Sequence, residues 1–339
     1  MAIEQVENSS RKIAVVFIGG TGRSGTNITK KILCRHSQLL GLPFNSRFII
    51  DPGGIIDFYN SFSSTWSPFY SDIKIKDLDK HLRSLSKKNL VDTFVSRTIK
   101  LFDKNGKKLT PAKHFEYELS RWYPNFETHV KKLIDDLTSF KFNSCWPGAE
   151  SFSSNYKQIF SDYKQREELA KVLGSFLQSC ISDLLDNREK GVFVNHDTHN
   201  ILFAKELLEI MPQSKILHMV RDPRDVLASY ISQRAYPNDH ITASRYYKSV
   251  ISKWLQIKKT IPKESYIEIK LENLAKQKED SIREICNFVD IEFEDELVKY
   301  AKKEIKANSG RWEHEFNDVQ KKFINEELKE IITELGYQS

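Results

Sequence analysis

Short apolar runs alternate along this chain with segments whose apolar residues recur at helical spacing. Ile13-Ala-Val-Val-Phe-Ile18 is continuous, rich in β-branched residues and followed by Gly19-Gly20, which predicts a strand buried on both faces and running into a tight loop. Ile28, Ile32 and Leu33 then form an apolar stripe, so a helix is predicted from Ser24 onward. The same grammar returns late in the chain. Gly191–Val194 and Lys215–Val220 read as strands, and Asn200–Met211 between them reads as an amphipathic helix stopped by Pro212. A helix over Asp225–Arg234, a strand over Ser265–Leu271 and a helix over Lys278–Val289 complete the series. Strands alternating with helices at this spacing predict an α/β fold with a central, mainly parallel sheet flanked by helices.

Between these two regions the pattern is helical, notably over Ala112–Leu119, Glu127–Leu137 and Arg166–Leu185. We read residues 60–190 as a helical insertion within a single domain spanning 1–339. Two aromatic stretches, Tyr59–Tyr70 and Phe142–Trp146, read as loops over the sheet, where ligand pockets are commonly built; packing of the insertion onto the sheet is the other explanation for them.

Composition narrows the class. The 339 residues suffice for a large core, and 40% hydrophobic with 29% charged residues is ordinary for a globular protein. Cys34, Cys145, Cys180 and Cys286 are far apart and form no C-x-x-C pair, so neither a zinc site nor a disulfide framework is expected, and a reducing, cytoplasmic location fits. The Ile13–Ile18 run is too short for a signal or membrane segment. A net charge of +6 without a basic run suits an anionic ligand without pointing to nucleic acid.

The candidate chemistry begins at Gly20-Thr-Gly-Arg-Ser-Gly-Thr26. Glycines let the backbone approach a phosphate, a helix N-terminus supplies N–H groups and a positive dipole end, and Arg23 with the hydroxyls adds charge and donors. A dinucleotide site would need an acidic residue about 20 positions on, yet none lies between Glu7 and Asp51. A Walker loop would need Lys after the last glycine, and here Gly25 is followed by Thr26 and Asn27. A second anion site is suggested by Val220-Arg-Asp-Pro-Arg-Asp-Val-Leu-Ala-Ser-Tyr230, which follows a strand and opens a helix, so that Arg221 and Ser229 can converge on one ligand.

The Arg-Ser-Gly-Thr loop, the Arg221/Ser229 spacing around Pro-Arg-Asp-Val, and Ser309-Gly-Arg-Trp312 together resemble the sulfotransferase superfamily that uses 3′-phosphoadenosine 5′-phosphosulfate (PAPS). The resemblance implies a P-loop-NTPase-like fold. It places the 5′-phosphosulfate on Gly22, Arg23, Ser24, Gly25, Thr26 and Asn27, and the 3′-phosphate on Arg221 and Ser229. Gly310, Arg311 and Trp312 would close over the cofactor. It requires no metal; the lack of a recognisable signal or membrane segment favours a hydroxyl of a small molecule as acceptor, with neither nucleic acid nor membrane expected as a partner.

For catalysis, Arg23 is the expected cation on the developing charge. The base is expected in Val194-Asn-His-Asp-Thr-His-Asn200, with His196 first and Asp197 beside it. Relatives carry Lys-Thr-Pro there, and their catalytic Glu falls near Asn45, which cannot take a proton; Asp51 is therefore a further candidate. Two other readings stay open, a small-molecule kinase using ATP and a non-catalytic binder of adenosine 3′,5′-bisphosphate (PAP).

Overall fold

The structure, a computed structural model, describes residues 14–87, 118–144, 156–186, 188–233, 235–305 and 309–338. The strands in chain order are β1 (Ala14–Gly20), β2 (Leu39–Gly41), β3 (Phe140–Asn143), β4 (Lys157–Phe160), β5 (Val192–His196), β6 (Lys215–Val220) and β7 (Tyr266–Lys270). Five of them form one sheet in the order β2-β5-β1-β6-β7, and all four pairings are parallel. β3 and β4 make a separate antiparallel pair.

Alternation along β1 explains why the sheet is covered on both faces. Val15 and Phe17 join one apolar cluster while Val16 and Ile18 join the other, as the two-residue period of a strand requires. The thicker layer contains Ile55–Ser64, Pro68–Ser86, Phe126–Leu137, Arg166–Asp186 and His240–Ile257. The thinner one contains Thr26–Leu33, Lys278–Val289 and Asp295–Glu304. The α/β fold with a parallel sheet flanked by helices is therefore present.

Strand order fixes where a ligand can sit. From β1 the chain crosses over β5 to reach β2, whereas from β6 it moves the other way, to β7. The crevice between the carboxyl ends of β1 and β6 is thus the point where the winding reverses, the usual ligand position in open α/β sheets.

The sequence boundaries hold for Lys215–Val220 and Lys278–Val289. Elsewhere they move. The first helix begins at Thr26, because Gly25 is left-handed at φ 95°. The predicted Asn200–Met211 helix opens as a 3-10 turn over Asn200–Phe203 before Ala204–Ile210. The helix after β6 starts at Pro223, two residues early, and ends at Ile231; Arg234 lies outside the described residues. So does most of the predicted Ala112–Leu119 helix, with Leu119 opening a short helix instead.

The stretch Tyr59–Tyr70 is not one loop. Ile55, Phe58, Tyr59 and Phe62 lie one to two turns apart on a helix and are buried, and Ser67 caps a second helix that begins at Pro68. Phe142 belongs to β3 and is exposed, while Cys145 and Trp146 lie outside the described residues. Among the described residues, no helix is long and apolar enough to cross a membrane.

Candidate active site

The register sets Gly20 beside Met219, so the loop Thr21–Gly25 and the segment opening with Arg221 leave the sheet side by side. Tyr230 holds the loop down by donating from its hydroxyl to the Thr21 carbonyl, and Tyr236 stacks on Tyr230 at 4.1 Å. Gly22 and Gly25 have φ of 81° and 95°, conformations that cost little only for glycine. A Cβ at Gly22 would run into the Tyr236 hydroxyl, and one at Gly25 would stand 2.6 Å from Leu271 Cδ1. The two glycines therefore bring backbone and neighbours closer than any side chain would allow.

Within this loop Ser24 is fully buried and its hydroxyl has no hydrogen-bond partner among the described residues, an arrangement that costs free energy until an acceptor arrives. Arg23, itself at φ 57°, donates from Nε to Ser229 Oγ at 2.8 Å. Arg221 donates from Nη1 to the Arg23 carbonyl at 3.2 Å. The loop cation and the helix hydroxyl expected to serve opposite ends of one ligand are thus in direct contact. Asn27 is exposed at the helix start.

Arg23, Arg221 and Ser229 border a cavity of about 360 Å³, whose wall also includes Leu271, Lys276 and Arg311, while Ser24 and Asn27 stand off it. Glu272 and Glu304 also line it. Among the described residues, four cations against two carboxylates leave an excess of positive charge, and the volume lies in the range of about 300–1,000 Å³ common for small-ligand sites.

Asp225 ties the far wall to the near one. Asp225 is wholly buried; Oδ2 accepts from Gly310 N at 2.9 Å, Oδ1 accepts from Trp312 N at 3.2 Å, and Arg221 Nη2 lies 3.6 Å away. Asp225 therefore caps the helix Arg311–Glu315 from a distant part of the chain. Arg311 lines the cavity with its guanidinium on Glu315 at 2.7 Å. Trp312 lies apart from the cavity wall, its ring 4.2 Å from the guanidinium of Arg224, which Asp222 grips through two oxygens.

On the other side of β1, His196 ends β5 and pairs in register with Ile18. Its Nε2 is 3.0 Å from Thr26 Oγ1 and its Nδ1 is 3.0 Å from Asn45 Oδ1. Burial, helped by the charge of Lys30, lowers its pKa to about 4, so the ring is neutral near pH 7. Asp197 is also buried, but its carboxylate accepts from His199 N at 3.2 Å and so closes the turn after β5. Asp51 sits in the turn before Ile55–Ser64, its carbonyl accepting from Gly54 N at 2.9 Å.

Residues 126–295, half of the chain, match the model of a sulfotransferase family. The chain belongs to that family. The matched region of this sulfotransferase holds β5, β6, Arg221, Ser229 and His196, while the glycine loop and Gly310–Trp312 lie outside it. No curated protein sequence gives a significant match. Among solved structures, sulfotransferase STF9 from Mycobacterium avium aligns with a TM-score of 0.46 and 13% identity, over 97% of this chain and 78% of that one. The sulfotransferase domain of the curacin biosynthetic pathway gives 0.44 and 16%, over 97% and 99%. Retinol dehydratase in complex with retinol and PAP gives 0.36 and 12%, over 96% and 83%.

Several residues of the sulfotransferase site escape a linear reading. Lys276 joins the cavity from the helix after β7, and no motif in the sequence pointed to it. Asp225 was legible as a charge near a helix start, but not its partners 85 and 87 residues away. Lys30, one turn beyond Thr26, is buried, and burial lowers its pKa. Nothing in the sequence linked it to His196.

Proposed function

We propose that this sulfotransferase moves the sulfuryl group of PAPS to a hydroxyl of a small-molecule acceptor. The observation that carries the reading is the convergence of Arg23, Arg221 and Ser229 at the reversal point of the sheet, beside a cationic cavity. The residues present fit such a donor. Ser24 offers a buried hydroxyl that lacks a partner among the described residues, two glycines hold the loop in left-handed turns, and a helix N-terminus follows.

In this reading Gly22–Asn27 hold the phosphosulfate end, and Arg221 with Ser229 holds the 3′-phosphate. Arg311, from the segment that Asp225 anchors, adds a second cation on that side. When bound, PAPS supplies an activated sulfuryl group whose departure leaves charge on a phosphate oxygen. Arg23 stands at the loop to meet that charge. His196 takes the acceptor proton on Nε2 as the acceptor oxygen bonds to sulfur, and the electron pair of the breaking S–O bond leaves with PAP. The imidazole is neutral at pH 7 and so carries the ring lone pair that this step uses. Asp197 supports the turn rather than the transfer, since its carboxylate is already engaged.

The test is turnover. The protein is incubated with PAPS and a panel of alcohols and phenols, and PAP release is followed. Release that depends on a hydroxyl acceptor and falls at least a hundredfold in His196→Ala supports the reading. PAPS left intact with every acceptor, together with tight PAP binding, would instead identify a non-catalytic binder.

A further inference from the structure

Asn45 lies where a proton acceptor was sought in the sequence, and an amide cannot serve as one. The structure gives it a different contact. Its Oδ1 stands 3.0 Å from His196 Nδ1, across 151 residues of chain. An amide oxygen only accepts, so the ring nitrogen facing it must carry the hydrogen. The other nitrogen, Nε2, then has a lone pair, and it faces the Thr26 hydroxyl at 3.0 Å.

We infer that Asn45 is a positioning residue that sets His196 in its Nδ1–H tautomer, with the Nε2 lone pair turned toward the glycine loop. This rests on the reading of His196 as the base. In that tautomer Thr26, the first residue of the helix that follows the loop, donates to Nε2 across 3.0 Å. A hydroxyl is therefore already held on the lone pair at hydrogen-bonding distance, in the manner the acceptor hydroxyl requires. Lys30, buried on the same helix one turn from Thr26, acts on the ring through its charge, and Asp197, next in sequence to His196, is committed to His199 N. Asn45 thus orients the ring without adding a negative charge, and the positive charge of Lys30 favours the neutral ring. A carboxylate in the same place would orient it equally but would favour the imidazolium.

The experiment is long-range proton–nitrogen NMR of protein labelled at the histidine side chains, with His196→Gln used to assign the signal and PAP calorimetry used to check folding. The expected result is one neutral tautomer at pH 7 in the wild type, with the hydrogen on Nδ1. Asn45→Ala should give a mixture of tautomers with PAP affinity within twofold of wild type. Asn45→Asp should keep the Nδ1–H tautomer and move the His196 titration up by one unit or more. A wild-type ring with hydrogen on Nε2, or an unchanged single tautomer in Asn45→Ala, overturns the inference. Full sulfuryl transfer in His196→Ala would sink the base assignment instead, and the tautomer result distinguishes the two failures.

Discussion

Arg23 Nε meets Ser229 Oγ at 2.8 Å although 206 residues separate them. The contact links the loop after β1 to the helix after β6, and Arg221 reinforces it by donating to the Arg23 carbonyl. One ligand that bridges both segments should therefore feel both arginines. Arg221→Ala should weaken PAP binding about ten- to a hundredfold, as expected for lost charge-assisted hydrogen bonds of about 1.5–3 kcal/mol. Ser229→Ala should weaken it less. Titration calorimetry at fixed ionic strength checks the order.

Asp225 has a buried carboxylate with two backbone donors and a nearby arginine. Asp225→Ala leaves the two backbone donors without their acceptor and removes the buried carboxylate beside Arg221, so stability should fall by about 3 kcal/mol, measured by urea unfolding. Glu315→Ala removes a partly exposed partner of Arg311, and should cost no more than about 0.5 kcal/mol. Equal losses in the two variants would contradict the role given to Asp225.

At Gly25, a methyl group meets Leu271 and φ is 95°. Gly25→Ala should lose about 1–3 kcal/mol of stability and most of its PAP affinity. Adding Leu271→Ala removes the clash but not the backbone strain, so rescue should be partial.

The pH dependence follows from His196. Its folded pKa of about 4 lies below the ordinary value of 6.5, so between these values the unfolded chain binds the proton and the folded one does not. Stability from this group is therefore complete above pH 6.5 and falls as pH drops toward 4, by about 3 kcal/mol in all. His196→Gln should flatten that part of the unfolding profile relative to wild type. An equal slope in both proteins would show that His196 titrates normally.

Much of this architecture was legible because local patterns agree with the final fold. β1, β6 and the helix Lys278–Val289 announce themselves by apolar runs and stripes, and the glycine loop by its glycines, Arg23 and hydroxyls between a strand and a helix. Strand order was not legible, because nothing in β5 or β6 states that β1 lies between them. The helix Ile55–Ser64 was hidden by its aromatic residues, whose stripe through Phe58, Tyr59 and Phe62 faces the core. The contacts of Asn45 with His196 and of Asp225 with Gly310 join segments that only the folded sheet brings together.

The most direct test of the central claim is ligand-dependent melting of the purified protein without added metal, comparing PAP, AMP, ATP and NAD, since a ligand that binds the folded state raises Tm by mass action. We expect PAP alone to raise Tm strongly, and Arg221→Ala to abolish the shift. Stabilisation by ATP or NAD, with none by PAP, would contradict the assignment of the cavity between β1 and β6.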